Sequence, residues 1–135
     1  MKKKYNIGLL NGTICTKDGR KKASLGIKNN KIIKIGKIDE KEFIKFIDCK
    51  EKHVLPGVID TQVHFREPGL SHKEDIYSGT NSALLGGVTT IFEMPNTSPA
   101  TINKAELERK LKIAKKSSWV NYSFFIGACK KNLNK

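Results

Sequence analysis

The side chains best suited to chemistry lie in one stretch, Val54-Leu55-Pro56-Gly57-Val58-Ile59-Asp60-Thr61-Gln62-Val63-His64-Phe65-Arg66-Glu67-Pro68-Gly69. Alternate residues of a strand share a face, so Asp60, Gln62 and His64 point one way and Ile59, Thr61 and Val63 the other. A carboxylate, a carboxamide and an imidazole on one face are groups that bind metals or handle protons. Arg66 follows in a Glu67-Pro68-Gly69 turn, and its planar guanidinium suits a carboxylate gripped through two parallel hydrogen bonds. A second patch, Phe92-Glu93-Met94-Pro95-Asn96-Thr97, places the amide of Asn96 just past another apolar run. Each residue also has a plainer reading. His64 can be an ordinary strand histidine, Arg66 a solvated loop charge and Asn96 a turn residue after Pro95. Asp60 is either an acceptor for backbone donors or a group that orients a metal ligand from behind. His53 and His72 have no spacing that argues for more than a surface position. Glu93, opposite in parity to Phe92 and Met94, is expected to face a helix layer, with no partner evident in the sequence.

The elements that must hold these groups fall into two parts. Residues 1–54 read as short strands and tight turns. Runs 5–10 and 13–16 flank Asn11-Gly12, a favoured turn dipeptide, and Lys17-Asp18-Gly19 is another turn. Runs 24–28 and 31–35 flank Asn29-Asn30, both tolerant of the left-handed backbone of a type I′ hairpin. A helical turn is expected over 39–43, before a strand at 46–48. Residues 55–135 change pattern. Strand 58–63 is followed by Ser71-His72-Lys73-Glu74, which has the form of a capping box, and by a helix to about Leu85 that Gly86-Gly87 ends. A strand over 88–94 comes next. Asn103 then opens a second box with Glu106, and Leu107, Leu111 and Ala114 line one helical face. A third strand spans 120–126. The β-α-β-α-β order with short connections implies parallel strands and right-handed crossovers. Such a start suits a doubly wound sheet or an eight-stranded barrel, and a complete barrel takes roughly 250 residues. The fold class expected from this pattern is α/β, with both architectures open.

Composition narrows the setting. The 135 residues carry a formal charge of +13. A balance that basic raises the question of nucleic acid. The lysines are scattered through turns and helix surfaces (Lys2, Lys22, Lys37, Lys50, Lys110, Lys130), no stripe alternates basic with aromatic residues, and arginine is scarce. No nucleic-acid partner is expected. Cys15, Cys49 and Cys129 are far apart and lack zinc-type spacing, which reads as reduced thiols of a cytoplasmic protein. The basic start at Lys2-Lys3-Lys4 leads into an apolar run too short for a signal peptide, and no run approaches a membrane span.

The segment from about Leu55 to Asn96 resembles the amidohydrolase superfamily and, within it, the dihydroorotases. The family opens with P-G-x-x-D-x-H-x-H, followed by a leucine or phenylalanine and R-E-P-G. This chain matches at all but one key place, and Met94-Pro95-Asn96-Thr97 matches the family's M-P-N-T. The resemblance implies the start of a (β/α)8 TIM-type barrel, incomplete in this chain and preceded by a small β-sandwich-like domain. It implies interconversion of N-carbamoyl-L-aspartate and L-dihydroorotate in pyrimidine synthesis, with water activated by one or two zinc ions. It implies that His64 is a metal ligand on the first barrel strand and that Arg66 and Asn96 hold the substrate carboxylate. That pair favours a dihydroorotase over relatives acting on hydantoins or dihydropyrimidines. The carboxylate that moves the proton to the leaving nitrogen is expected downstream of residue 135. A homodimer is expected for the full-length protein, with aspartate transcarbamoylase a further partner and no membrane.

The departure is Gln62, which stands where the family has its first ligand histidine. A glutamine oxygen is a neutral and weaker zinc ligand than an imidazole nitrogen. Three readings stand: a site reduced to one metal, a dinuclear site that tolerates Gln62, and a lost site. The last corresponds to a catalytically silent homologue that serves as a structural partner of aspartate transcarbamoylase. Another cyclic amidohydrolase, of allantoinase or hydantoinase type, is the remaining alternative.

Overall fold

The computed structural model describes residues 3–133, and the chain divides into two compact units, Met1–Pro56 and Gly57–Lys135. The first unit is built on one long strand, β1 (Tyr5–Thr16). On one side β1 pairs antiparallel with β2 (Gly19–Lys28), which pairs with β3 (Lys31–Gly36). On the other side it pairs in parallel with β4 (Phe43–Asp48) and then with the two residues of β5 (His53–Val54). Lys17-Asp18 closes the first hairpin as expected. Asn29 and Asn30, with φ of 50° and 59°, close the second through the left-handed geometry their short amide side chains tolerate.

Asn11-Gly12 does not turn the chain. Asn11 has φ 53°, but β1 runs straight through it and the register against β2 shifts between Leu9 and Gly12. Both edges of β1 are paired, so the extra residue is absorbed as a bulge. Asn11 Nδ2 donates to Asp48 Oδ1 at 3.1 Å, and Glu51 N donates to Asn11 O at 2.8 Å, so the bulge also carries β1 from β4 to β5. Tyr5, Leu10 and Phe43 form the core of this unit, the two rings 5.2 Å apart. Among the described residues this unit is a single five-stranded sheet. The expected turn over 39–43 is a short 3-10 helix at Glu40–Glu42, capped by Asp39.

The second unit alternates β6 (Val58–Val63), α1 (Ile76–Leu85), β7 (Val88–Glu93), α2 (Lys104–Ser117) and β8 (Asn121–Phe124). The three strands are parallel and in sequence order. Phe65, Ile76, Ile91, Ala114 and Val120 bury together, with Val63, Tyr122 and Phe124 packed against them, so the core lies between the strands and the helices.

Helix α1 starts later than a box at Ser71 requires. Residues 71–73 form a turn, with Lys73 N donating to Leu70 O at 2.9 Å. Asp75 is the cap: its Oδ1 accepts from Ser78 N at 2.7 Å, and Glu67 Oε2, reaching across from the preceding loop, accepts from Ile76 N at 2.9 Å. Two carboxylates thus cover free N–H groups at the positive end of the helix, which outcompetes the Ser71 pattern. Asn103 caps α2 as expected, accepting from Glu106 N at 3.0 Å. The buried face of α2 differs from expectation. Leu111 is 39% exposed, whereas Lys110, read from the sequence as a surface lysine, is fully buried beside Ala114. No helix among the described residues is long and apolar enough to cross a membrane, and the three cysteines are unpaired.

The Asp75 cap gives a pH signature. Hydrogen bonds from Ser78 hold its carboxyl below the ordinary value of 3.8. The folded state therefore favours the ionised form. The stabilisation is complete above 3.8 and fades as pH falls through the lower, folded-state value. Asp75→Asn is expected to flatten the acid limb of a denaturation-versus-pH profile and to leave the neutral region nearly unchanged, because asparagine caps almost as well.

Candidate functional site

The residues singled out in the sequence gather at the C-terminal ends of β6 and β7. Along β6 and the two residues after it, the side chains of Asp60, Gln62 and His64 are exposed, while Val63 and Phe65 pack toward the helices. The expected parity thus holds at the end of the strand. It does not hold earlier in the strand, where Ile59 is 58% exposed and Thr61 is exposed as well. Asp60 keeps to its own strand: Oδ1 accepts from Gln62 N at 3.0 Å. No three His, Cys, Asp or Glu side chains among the described residues come together to hold a metal.

The structure does bring His64 and Asn96 together. His64 Nδ1 lies 2.9 Å from Asn96 Oδ1. A carbonyl oxygen only accepts, so Nδ1 carries the proton, and in the neutral imidazole Nε2 keeps its lone pair. The same bond turns the NH2 of Asn96 away from His64. One contact therefore fixes an imidazole tautomer and presents an amide donor.

The loops after β6 and β7 interlock around this pair. Ser98 N donates to Pro68 O at 3.0 Å, and Leu70 N to Arg66 O at 3.1 Å. At Gly69, with φ +88°, a Cβ would stand 1.8 Å from Ser98 O, so the second loop passes through the space a side chain would need. Arg66 itself has φ 71°. A left-handed backbone costs a residue with a Cβ about 1–2 kcal/mol. A carboxylate faces that strained position, for Glu93 Oε1 accepts from Arg66 N at 3.0 Å.

Glu93 is the group whose partner the sequence did not reveal. It faces the helix layer, as its parity implied, and meets Lys110, with Nζ 2.7 Å from Oε2 and neither side chain more than 1% exposed. Lys110 Nζ also donates to Met94 O at 3.2 Å and lies 4.9 Å from the centre of the Phe124 ring. Burial pushes the Glu93 carboxyl above its ordinary value, while the Lys110 ammonium and the Arg66 N–H pull it back down. The signal that could have found Lys110 was its place beside Ala114 in the helical stripe, opposite a strand carboxylate of matching parity.

The match to known proteins follows this geometry. The profile of the family described as dihydro-orotase-like matches residues 51–128. A dihydroorotase of Methanothermobacter thermautotrophicus is 43% identical over 115 residues, covering 84% of this chain and 26% of its own length. An allantoinase of Desulfitobacterium hafniense is 36% identical over 132 residues, covering 97% of this chain and 29% of its own length. Among solved structures, the L-hydantoinase (dihydropyrimidinase) of Arthrobacter aurescens superposes with a TM-score of 0.86 at 30% identity, covering 96% of this chain and 29% of that one. The first unit and the β-α-β-α-β unit thus share the fold of cyclic-amidase relatives. The chain belongs to the dihydro-orotase-like family, and it spans roughly a quarter to three-tenths of the length of these relatives.

The interlock at Gly69 is open to direct test. Gly69→Ala must both strain the backbone and collide with Ser98 O, at an expected cost of about 2–3 kcal/mol in denaturant unfolding. Gly87→Ala is the control, because it has the same φ of +88° with nothing within 4 Å. Its expected cost is about 1 kcal/mol, from backbone strain alone.

Proposed function

We propose that this chain is the N-terminal part of a dihydroorotase, a zinc-dependent cyclic amidohydrolase interconverting N-carbamoyl-L-aspartate and L-dihydroorotate in pyrimidine synthesis. The observation that carries the reading is the His64–Asn96 bond at adjoining strand ends, with Arg66 on the loop that follows His64. Dihydroorotate bears a carboxylate that hydantoin and allantoin lack. A guanidinium beside an amide donor is the chemistry that binds it.

In this reading Arg66 grips the substrate carboxylate through paired N–H donors. Asn96, its oxygen committed to His64, donates from Nδ2 to the same group. His64 offers Nε2 as a ligand, and its protonated Nδ1 is fixed by Asn96, as a ligating histidine requires. The donors of this chain fit one nitrogen's share of a zinc site, with Gln62 adding at most a neutral oxygen and Asp60 holding the Gln62 backbone. One zinc, with further ligands from later in the protein, suits that donor set better than two. A zinc bound there would supply a Lewis acid and an activated water. The proton for the leaving nitrogen comes from a group outside this chain, so residues 1–135 alone are inactive in this reading. The remaining barrel strands, a cytoplasmic location and homodimer formation belong to the same proposal.

A second reading, hydrolysis of another cyclic amide, is favoured by the allantoinase match over 97% of the chain. The longer protein carrying this chain, supplied with zinc, decides between them. Chelator-sensitive turnover of carbamoyl aspartate is expected. His64→Ala is expected to lower bound zinc and turnover together, and Arg66→Lys to raise KM about tenfold or more by removing the bidentate grip. A folded, zinc-loaded protein that hydrolyses allantoin or hydantoin and leaves both dihydroorotate and carbamoyl aspartate untouched would overturn the dihydroorotase reading.

A further inference from the structure

The Glu93–Lys110 pair sits behind the proposed site, with neither side chain more than 1% exposed. Two charges taken wholly out of water are a poor source of stability, since an apolar pair of similar volume often serves as well or better. The contacts show what the pair does instead. Glu93 Oε1 holds the N–H of Arg66, the residue with the left-handed backbone, at 3.0 Å. Glu93 Oε2 holds Lys110 Nζ at 2.7 Å. Lys110 holds Met94 O at 3.2 Å, two residues before Asn96, and Phe124 covers the ammonium from β8. One carboxylate and one ammonium thus fasten the backbone under Arg66 to the backbone leading into Asn96. α2 supplies the cation, anchored through Ala114 in the core.

We infer that Glu93 and Lys110 are positioning residues for the carboxylate clamp: the buried pair sets the Arg66 backbone relative to the Asn96 strand end and so tunes affinity for a carboxylate-bearing substrate. The inference rests on the dihydroorotase reading for its substrate, and on the Arg66 geometry alone for its structural half. Lys110 is a lever here. Without it, Glu93 has no counter-charge and loses its reason to stay turned toward Arg66. The carboxylate lies at the substrate's periphery, so a displaced clamp weakens ground state and transition state alike and shows in KM before kcat.

The test uses the longer protein carrying this chain, with Lys110→Met, Glu93→Gln and the double variant E93Q/K110M. The double variant removes both charges together, leaves no ion uncompensated, and is expected to unfold near the wild-type midpoint. Lys110→Met and the double variant are expected to raise KM for dihydroorotate about tenfold, with kcat within about twofold and bound zinc unchanged. Crystal structures of both are expected to show Arg66 leaving the left-handed region or its N–H parting from residue 93. That readout stands even where the wild type turns over no dihydroorotate, so failure of the functional reading is distinguishable from failure of this one. Unchanged Arg66 geometry, unchanged KM, or failure of the double variant to fold would each overturn the positioning role.

Discussion

The Arg66 N–H and the Met94 carbonyl, at the ends of the first two strands of the second unit, both lean on a carboxylate and an ammonium with almost no exposed surface. Removing either partner alone would leave an unpaired buried charge, a loss of about 3–5 kcal/mol in comparable cases. The constraint acts in both directions along the chain. It forces α2 to present Lys110 inward at a position where an amphipathic helix would carry an apolar side chain. It also lets Arg66 keep a backbone conformation that a residue with a Cβ otherwise avoids, because the N–H exposed by that conformation meets a fixed acceptor. The neighbouring loops then close on the result through Gly69 and Ser98, where only a hydrogen fits.

The parts of the fold governed by short-range chemistry were legible in the sequence. Strand 58–63, the Asn29-Asn30 turn and the Asn103 cap follow from side chains acting on their own backbone, and the structure has all three. Misreadings occurred where a distant partner intervened. Asn11-Gly12 has turn chemistry, yet β4 and β5 pair with β1 across it and leave a bulge. Ser71 and Glu74 have the spacing of a cap, yet Glu67 reaches the helix start from nine residues upstream and the helix begins after Asp75. Lys110 looked like one more surface lysine in a chain rich in them. Its place beside Ala114 in the helical stripe hinted otherwise, and its contact with a strand residue seventeen positions earlier explains the burial.

The candidate site divides the same way. Asp60, Gln62, His64 and Arg66 were gathered by strand alternation and by the turn after it, which are properties of one segment. Their conjunction with Asn96 needed the second strand, and the structure supplies it as a single hydrogen bond. What alternation could not supply was orientation. Sharing a face says that an imidazole and a carboxamide are near one another; it does not say which imidazole nitrogen keeps its lone pair. The bond to Asn96 Oδ1 answers that, because the acceptor dictates the tautomer.

That bond also changes what Gln62 means. In isolation, glutamine in place of a ligand histidine argues for a lost metal. Here the Asn96 amide is committed on its oxygen side to His64, which in the proposed reading leaves Nε2 of the neutral ring for a metal and the amide nitrogen for the substrate carboxylate. In that reading metal affinity and carboxylate affinity would be coupled through one side chain. A zinc on Nε2 would polarise the ring, strengthen the Nδ1–H···O bond and fix the Nδ2 donor more firmly. With one histidine ligand gone, a site of this kind would draw more of its order from the clamp side. The interlocked loops and the buried ion pair behind Arg66 are where the chain provides it.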